Sequence, residues 1–63
     1  MMKFIYVFTD VDRDKLLKSG FKLINEDRKE HFYVFIYPDE INFSAYSDEN
    51  SITEYVCRDT IGL

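Results

Sequence analysis

Two runs, Lys3 to Thr9 (KFIYVFT) and His31 to Tyr37 (HFYVFIY), constrain this chain more than anything else in it. Both are β-branched or aromatic almost throughout and read as strands. A strand that is apolar at nearly every position offers neither side to water, so both runs are expected inside a sheet, with something lying over each face. Sixty-three residues allow one domain, spanning 1–63. A chain this short buries only about 60% of its unfolded surface, so disulfides, a metal, a rich core or a partner must reinforce it. Cys57 is the only cysteine and His31 the only histidine, which excludes an internal disulfide and argues against structural zinc. The core and the partner remain. Aromatics make up 17% of the chain, and each can bury about 150–250 Å².

Between the two runs, Thr9-Asp10-Val11-Asp12 reads as a helix start, with Thr9 as cap and the acids at the positive end of the dipole. Leu16 and Leu17 supply an apolar stripe, and Lys15 and Lys18 fall near the negative end. Gly20 is placed to stop the helix in a left-handed conformation, which sets Leu16 and Phe21 at the meeting positions of a Schellman motif. Such a short helix is not stable alone and must dock. Phe21 to Glu26 predicts a second strand, Asp27-Arg28-Lys29-Glu30 a polar turn without glycine, and His31 to Tyr37 a third strand that Pro38 stops. Ile41 to Tyr46 (INFSAY) predicts a fourth strand, and Ser47 to Ser51 a polar loop. Ile52 to Cys57 has strand composition, although Ser51-Ile52-Thr53-Glu54 also fits a capping box that would open a short helix.

A helix between strands one and two implies a right-handed crossover with those strands parallel, and the tight turn makes strands two and three antiparallel. The expectation is an α+β domain. It has a β-α-β-β start, with one short helix on one face of a small mixed sheet of order 2-3-1. One or two further short strands follow, or a strand and a short helix.

Alternation along each strand divides these residues between two faces. Symmetric pairing about the 27–30 turn sets Leu23 opposite Val34 and Phe21 opposite Ile36. The helix side then holds Ile5, Val7, Phe21, Leu23, Phe32, Val34 and Ile36. The other side collects Phe4, Tyr6, Phe8, His31, Tyr33, Phe35 and Tyr37. Left bare, it would exceed the apolar patch that a monomer usually exposes. Either residues 41–57 fold across it, or part of it stays open for a second copy or another protein. These seven residues are the candidate interaction face.

Charge is uneven. Residues 1–38 hold seven Lys/Arg against six Asp/Glu, whereas residues 39–63 hold only Arg58 against six acids, giving the net charge of −4. Asp39, Glu40, Asp48 and Glu49 form a candidate acidic patch. It would serve solubility, or imitate nucleic acid and block a basic groove. Phosphate-backbone binding calls for Lys and Arg, so no nucleic-acid partner is expected. An aromatic sheet face is how RNA-recognition domains stack bases, but the glycine step and the spacing of the second ring are missing around Tyr33-Val34.

Asp10-Val11-Asp12-Arg13-Asp14 resembles the start of a calcium loop, yet Lys15 stands where glycine is needed and Phe21 where the bidentate Glu belongs. One histidine, one cysteine and two glycines (Gly20 and Gly62) leave no nucleophile pattern and no phosphate loop. No enzyme activity, cofactor, metal or small-molecule substrate is expected. No run reaches the roughly 18–20 apolar residues of a membrane span, and the N-terminus lacks a cleavage site. The expected location is therefore the cytoplasm of a bacterium or an infected host cell.

The segments Lys3-Phe4-Ile5-Tyr6-Val7-Phe8, Asp12-Arg13-Asp14-Lys15-Leu16-Leu17, Gly20-Phe21 and Tyr33-Val34-Phe35 resemble small uncharacterised proteins of Firmicutes bacteria and their phages or mobile elements. Asp59-Thr60-Ile61 echoes the same proteins. The resemblance implies a bacterial or phage origin and an accessory role, in a virion or at a host target, and carries no functional residues. Together these readings predict a non-enzymatic protein-interaction module. An acidic inhibitor of a nucleic-acid-handling protein and a stand-alone structural or virion accessory protein are the alternatives.

Overall fold

The computed structural model describes residues 2–59. In chain order it has β1 (Met2–Val7), α1 (Asp10–Lys18), β2 (Lys22–Asp27), β3 (Phe32–Pro38), α2 (Phe43–Asn50) and β4 (Tyr55–Arg58). The strands form one sheet in the order β2-β3-β1-β4. The two apolar runs thus take the middle of the sheet, as their composition requires. β1 and β2 run in the same direction, but β3 lies between them, so every neighbouring pair is antiparallel rather than mixed. The element order is that of the ferredoxin-like split β-α-β arrangement.

α1 forms where its sequence signals place it. Thr9 Oγ1 accepts the Asp12 N–H at 3.1 Å. At the other end, the Phe21 N–H donates to Leu16 O at 3.1 Å and the Gly20 N–H to Leu17 O at 3.2 Å. With Gly20 at φ 90°, these two bonds are the Schellman motif. Leu16 is fully buried, and Phe21 packs against the cluster that contains it.

Two elements differ from expectation. Ile41 to Tyr46 is not a strand: Phe43–Asn50 is helical, and the expected loop at 47–51 is largely its second half. Asn42 Oδ1 accepts the Ala45 N–H at 3.2 Å as N-cap, and Ser51 closes the helix at φ 58° and ψ 37°. The helix wins because Phe43, Tyr46 and Ser47 fall at i, i+3 and i+4, which gathers them on one side. Phe43 and Ser47 are buried there. The last strand, expected over 52–57, runs from Tyr55 to Arg58 and pairs antiparallel with β1.

The second difference is the phase of β3. The hairpin turn occupies 28–31, with Asp27 opposite Phe32, and His31 takes φ 60° in it instead of opening the strand. Moving the turn by one residue changes the pairing by two, which leaves the faces alone. The bulge at Ile24 does not: Asn25 pairs with Val34 but Leu23 pairs with Phe35. One extra residue on β2 swaps the side that β3 presents to Leu23.

Ile5 therefore stands opposite Phe35, Val7 opposite Tyr33 and Lys3 opposite Tyr37. The core is Ile5, Val7, Leu16, Phe35, Tyr37, Phe43 and Ile52, with Phe21, Leu23, Tyr33, Tyr46 and Tyr55 packed against it. Both helices belong to this one side. Expected to be mostly aliphatic, it is instead the aromatic side. Phe43 sits at the centre, its ring 5.8 Å from Phe21, 5.5 Å from Tyr37, 5.4 Å from Tyr46 and 5.1 Å from Tyr55.

Candidate interaction surface

The opposite face of the sheet carries Phe4, Tyr6, Phe32, Val34, Ile36, Val56 and Arg58 by register. None of them belongs to the helix-side core. The seven residues expected to share a face are thus divided. Phe4, Tyr6 and Phe8 lie on this uncovered face, Tyr33, Phe35 and Tyr37 are turned toward the helices, and His31 sits in the hairpin turn. Residues 41–57 do not fold across it. Val56 alone of that segment reaches it by register.

Among the described residues no helix lies here, yet the middle of the face is not wet. Val34 is fully buried and Tyr6 is only 9% exposed. Neighbouring side chains enclose them: the Phe32 ring is 5.7 Å from Tyr6, and the Arg58 guanidinium lies 5.8 Å from the Tyr6 ring centre. Phe8 at 39% exposure and Val56 at 38% remain open. Tyr6, Phe8, Phe32, Val56 and Arg58 line a cleft of about 290 Å³. The Tyr6 hydroxyl is buried and has no hydrogen-bond partner among the described residues. A hydroxyl left in that state costs about 1–3 kcal/mol. The combination is a concave apolar site with one cation and one unspent hydrogen-bonding group, which suits a contact that excludes water.

A polar cluster gathers around Arg13 at the start of α1. Arg13 stacks over Tyr33 at 5.1 Å and faces Asp14 at 3.1 Å, Asp10 at 3.7 Å and Glu26 at 3.8 Å. The Tyr33 hydroxyl donates to Asp10, which holds its pKa above 10.0. Hydrogen bonding from Arg13 to Asp14 likewise raises the guanidinium pKa. This group clamps the start of α1 to the sheet. Burial, followed by a contact with Cys57, pushes the Tyr37 hydroxyl well above its ordinary range. Cys57 is exposed on β4, opposite Ile5. It is two strands away from β3, which follows His31. No group of three His, Cys, Asp or Glu that would hold a metal is assembled among the described residues.

The acidic candidates are all exposed but do not join the uncovered face. Asp39 and Glu40 occupy the turn after β3, and Asp48 and Glu49 the last half of α2. Among the described residues no helix is long and apolar enough to cross a membrane. Thr60 and Ile61, part of the C-terminal resemblance, lie outside the described residues. Residues Phe32, Val34 and Ile36 were missed as surface candidates because the bulge at Ile24 has no mark in the sequence beyond its effect on register, and Val56 was missed because the pairing of β4 with β1 is not written in either segment. Comparison with protein-family models, with curated proteins and with solved structures returned no match.

Proposed function

We propose that this chain is a non-enzymatic protein-interaction module, of bacterial or phage origin, that binds through the uncovered sheet face. One observation carries the reading: both helices pack on one side, while Phe4, Tyr6, Phe8, Phe32, Ile36 and Val56 make the other side apolar without a cover. A domain of this size gains most from burying such a face in a contact. The Tyr6 hydroxyl without a partner supports the same surface. Charge opposes a nucleic acid there, because the cations Lys22 and Arg58 are matched on the chain by an excess of acids.

An apolar fluorescent dye tests the reading in dilute protein. Emission should rise on mixing and fall back in the Phe8→Ser, Val56→Ser double variant, with the circular dichroism spectrum unchanged. A folded protein that binds no dye would sink the proposal. A titration with short single-stranded RNA at low salt is the second arm. Binding at tens of micromolar, lost in the same variant, would replace a protein partner by a nucleic acid.

A further inference from the structure

The cleft of about 290 Å³ is far larger than the space of about 80 Å³ between Gly20 and Pro38, and it alone of the two has a charged side chain in its lining. Its walls come from three strands: Tyr6 from β1 with Phe8 just beyond, Phe32 from β3, and Val56 and Arg58 from β4. No stretch of sequence holds these five together. The antiparallel pairing of β1 with β3 and with β4 does.

The lining is apolar except at one place. Three rings and Val56 form the walls, and Arg58 is the charged member. The other arginines are spoken for: Arg13 meets Asp14 at 3.1 Å and Arg28 meets Glu26 at 4.0 Å. Arg58 meets no carboxylate among the described residues, and its guanidinium lies over the Tyr6 ring instead. A ring contact steadies a guanidinium without using its N–H groups, which stay open to an acceptor. The Tyr6 hydroxyl, enclosed and without a partner among the described residues, is a donor in reserve. A small shift of its ring or of the guanidinium would bring it to a bound molecule.

We infer that this cleft is a binding site for a small aromatic carboxylate, a molecule of one or two fused rings bearing a single negative charge. The inference goes beyond the interaction reading, because it concerns one cleft and leaves Phe4 and Ile36, outside the lining, to a protein partner. Each half of the ligand answers a part of the cleft. A flat ring can pack offset or edge-on against Phe8 and Phe32, where an aliphatic group gains only burial. The two carboxylate oxygens match the guanidinium fork. One cation in an apolar lining, on a chain of net charge −4, suits one negative charge. A phosphate dianion would bring a second charge out of water with no cation in the lining to meet it. Size agrees as well, since the cleft stands at the lower end of small-molecule sites, which run from about 300 to about 1,000 Å³. A ligand of about a dozen heavy atoms in such an open place should bind with a dissociation constant on the order of 0.1–1 mM.

Titration of the full chain, followed by its backbone amide resonances at low salt, tests this with three probes. Indole-3-acetate should shift the signals around Tyr6, Phe8, Phe32 and Val56 and saturate by about 5 mM. Indole-3-acetamide, the uncharged counterpart, should bind at least about fivefold more weakly. Cyclohexanecarboxylate, an anion without an aromatic ring, should bind at least about threefold more weakly. Arg58 is exposed, so Arg58→Gln should stay folded, as the spread of the same resonances checks, and should bind acid and amide alike. Equal binding of acid and amide by the wild type, equal binding of the two acids, or acid binding that survives in Arg58→Gln overturns the inference. So does an absence of shifts at these residues. In that last case an uncharged apolar dye separates the two readings: a chain that binds the dye keeps the interaction face and loses the ligand site, and one that binds neither loses both.

Discussion

The two faces of this sheet have similar strand composition and opposite fates. On the helix side, rings meet rings, and the polar tips among them find partners: the Tyr46 hydroxyl lies 2.6 Å from Ser19 Oγ, and the Ser47 hydroxyl donates to Tyr55 at 3.2 Å. On the other side, the cleft rings stay partly open and the Tyr6 hydroxyl has no partner among the described residues. Composition does not create this difference. Connection geometry does. β1-α1-β2 and β3-α2-β4 each cross over one intervening strand, in opposite directions across the sheet and from strands that run in opposite directions. Those two reversals cancel, so connections of the same hand lay both helices on the same face. The described residues supply no third helix for the remaining face, however apolar its strands are.

The largest effect expected of that contrast is on stability. Phe43→Ala removes the ring that touches four others and leaves a hole in the helix-side core. It should cost about 3–5 kcal/mol, enough to leave a small domain largely unfolded at room temperature. Phe8→Ala deletes a ring of the same size from the uncovered face, where it is 39% exposed and lies outside the core cluster. At concentrations where the chain is monomeric it should cost under about 1 kcal/mol. Urea titrations of the two variants measure both values. Equal losses would show that the uncovered face is as well packed as the helix side.

Much of the helix side was legible in the sequence, and its failures are local. Thr9 and Gly20 announce both ends of α1 because capping and a left-handed stop are properties of single residues. The central positions of β1 and β3 follow from runs that have no polar side. By contrast, INFSAY alternates well enough for a strand, and only the i, i+3, i+4 spacing of Phe43, Tyr46 and Ser47, led by Asn42, argues for a helix. Taking it as a strand removed α2 and left the cover of the helix side incomplete. The bulge at Ile24 then exchanged the faces of β3, since a shift of one residue reverses a period of two. Of the seven residues expected to share one face, Phe4, Tyr6 and Phe8 stay together, Tyr33, Phe35 and Tyr37 are turned to the helices by that shift, and His31 is taken up by the hairpin turn.

Alkaline pH sharpens the comparison from the helix side. Burial raises the Tyr37 hydroxyl pKa above its unfolded value of 10.0, and the Tyr33 hydroxyl is raised by its bond to Asp10. A raised folded-state pKa favours the protonated form. Its contribution is complete below pH 10.0 and fades as the pH climbs from there toward the folded-state pKa. The buried Tyr37 hydroxyl steepens the fall by at most about 1.4 kcal/mol per pH unit. Stability from denaturant midpoints should thus be lost above about pH 10, more gently in Tyr37→Phe. An identical slope in that variant would show that its hydroxyl is not held protonated by the core.

Tyr6→Phe makes the smallest change and the most pointed one. The hydroxyl it removes is buried without a partner among the described residues, so the variant gives up none of their hydrogen bonds and sheds a desolvated polar atom. Its stability should hold or rise by up to about 1 kcal/mol. Tyr46→Phe is the matched control on the helix side, because that hydroxyl also donates to the Lys15 carbonyl at 3.2 Å and so joins α2 to α1. Its loss should cost about 1 kcal/mol. Opposite signs for one chemical change, read from thermal or urea unfolding of dilute protein, would mean that the helix side has completed its hydrogen bonds within the chain. They would also mean that the uncovered face keeps a hydroxyl whose partner lies outside the chain. If Tyr6→Phe destabilises as much as Tyr46→Phe, the Tyr6 hydroxyl is already bonded in the monomer and gives that face no reason to seek a contact.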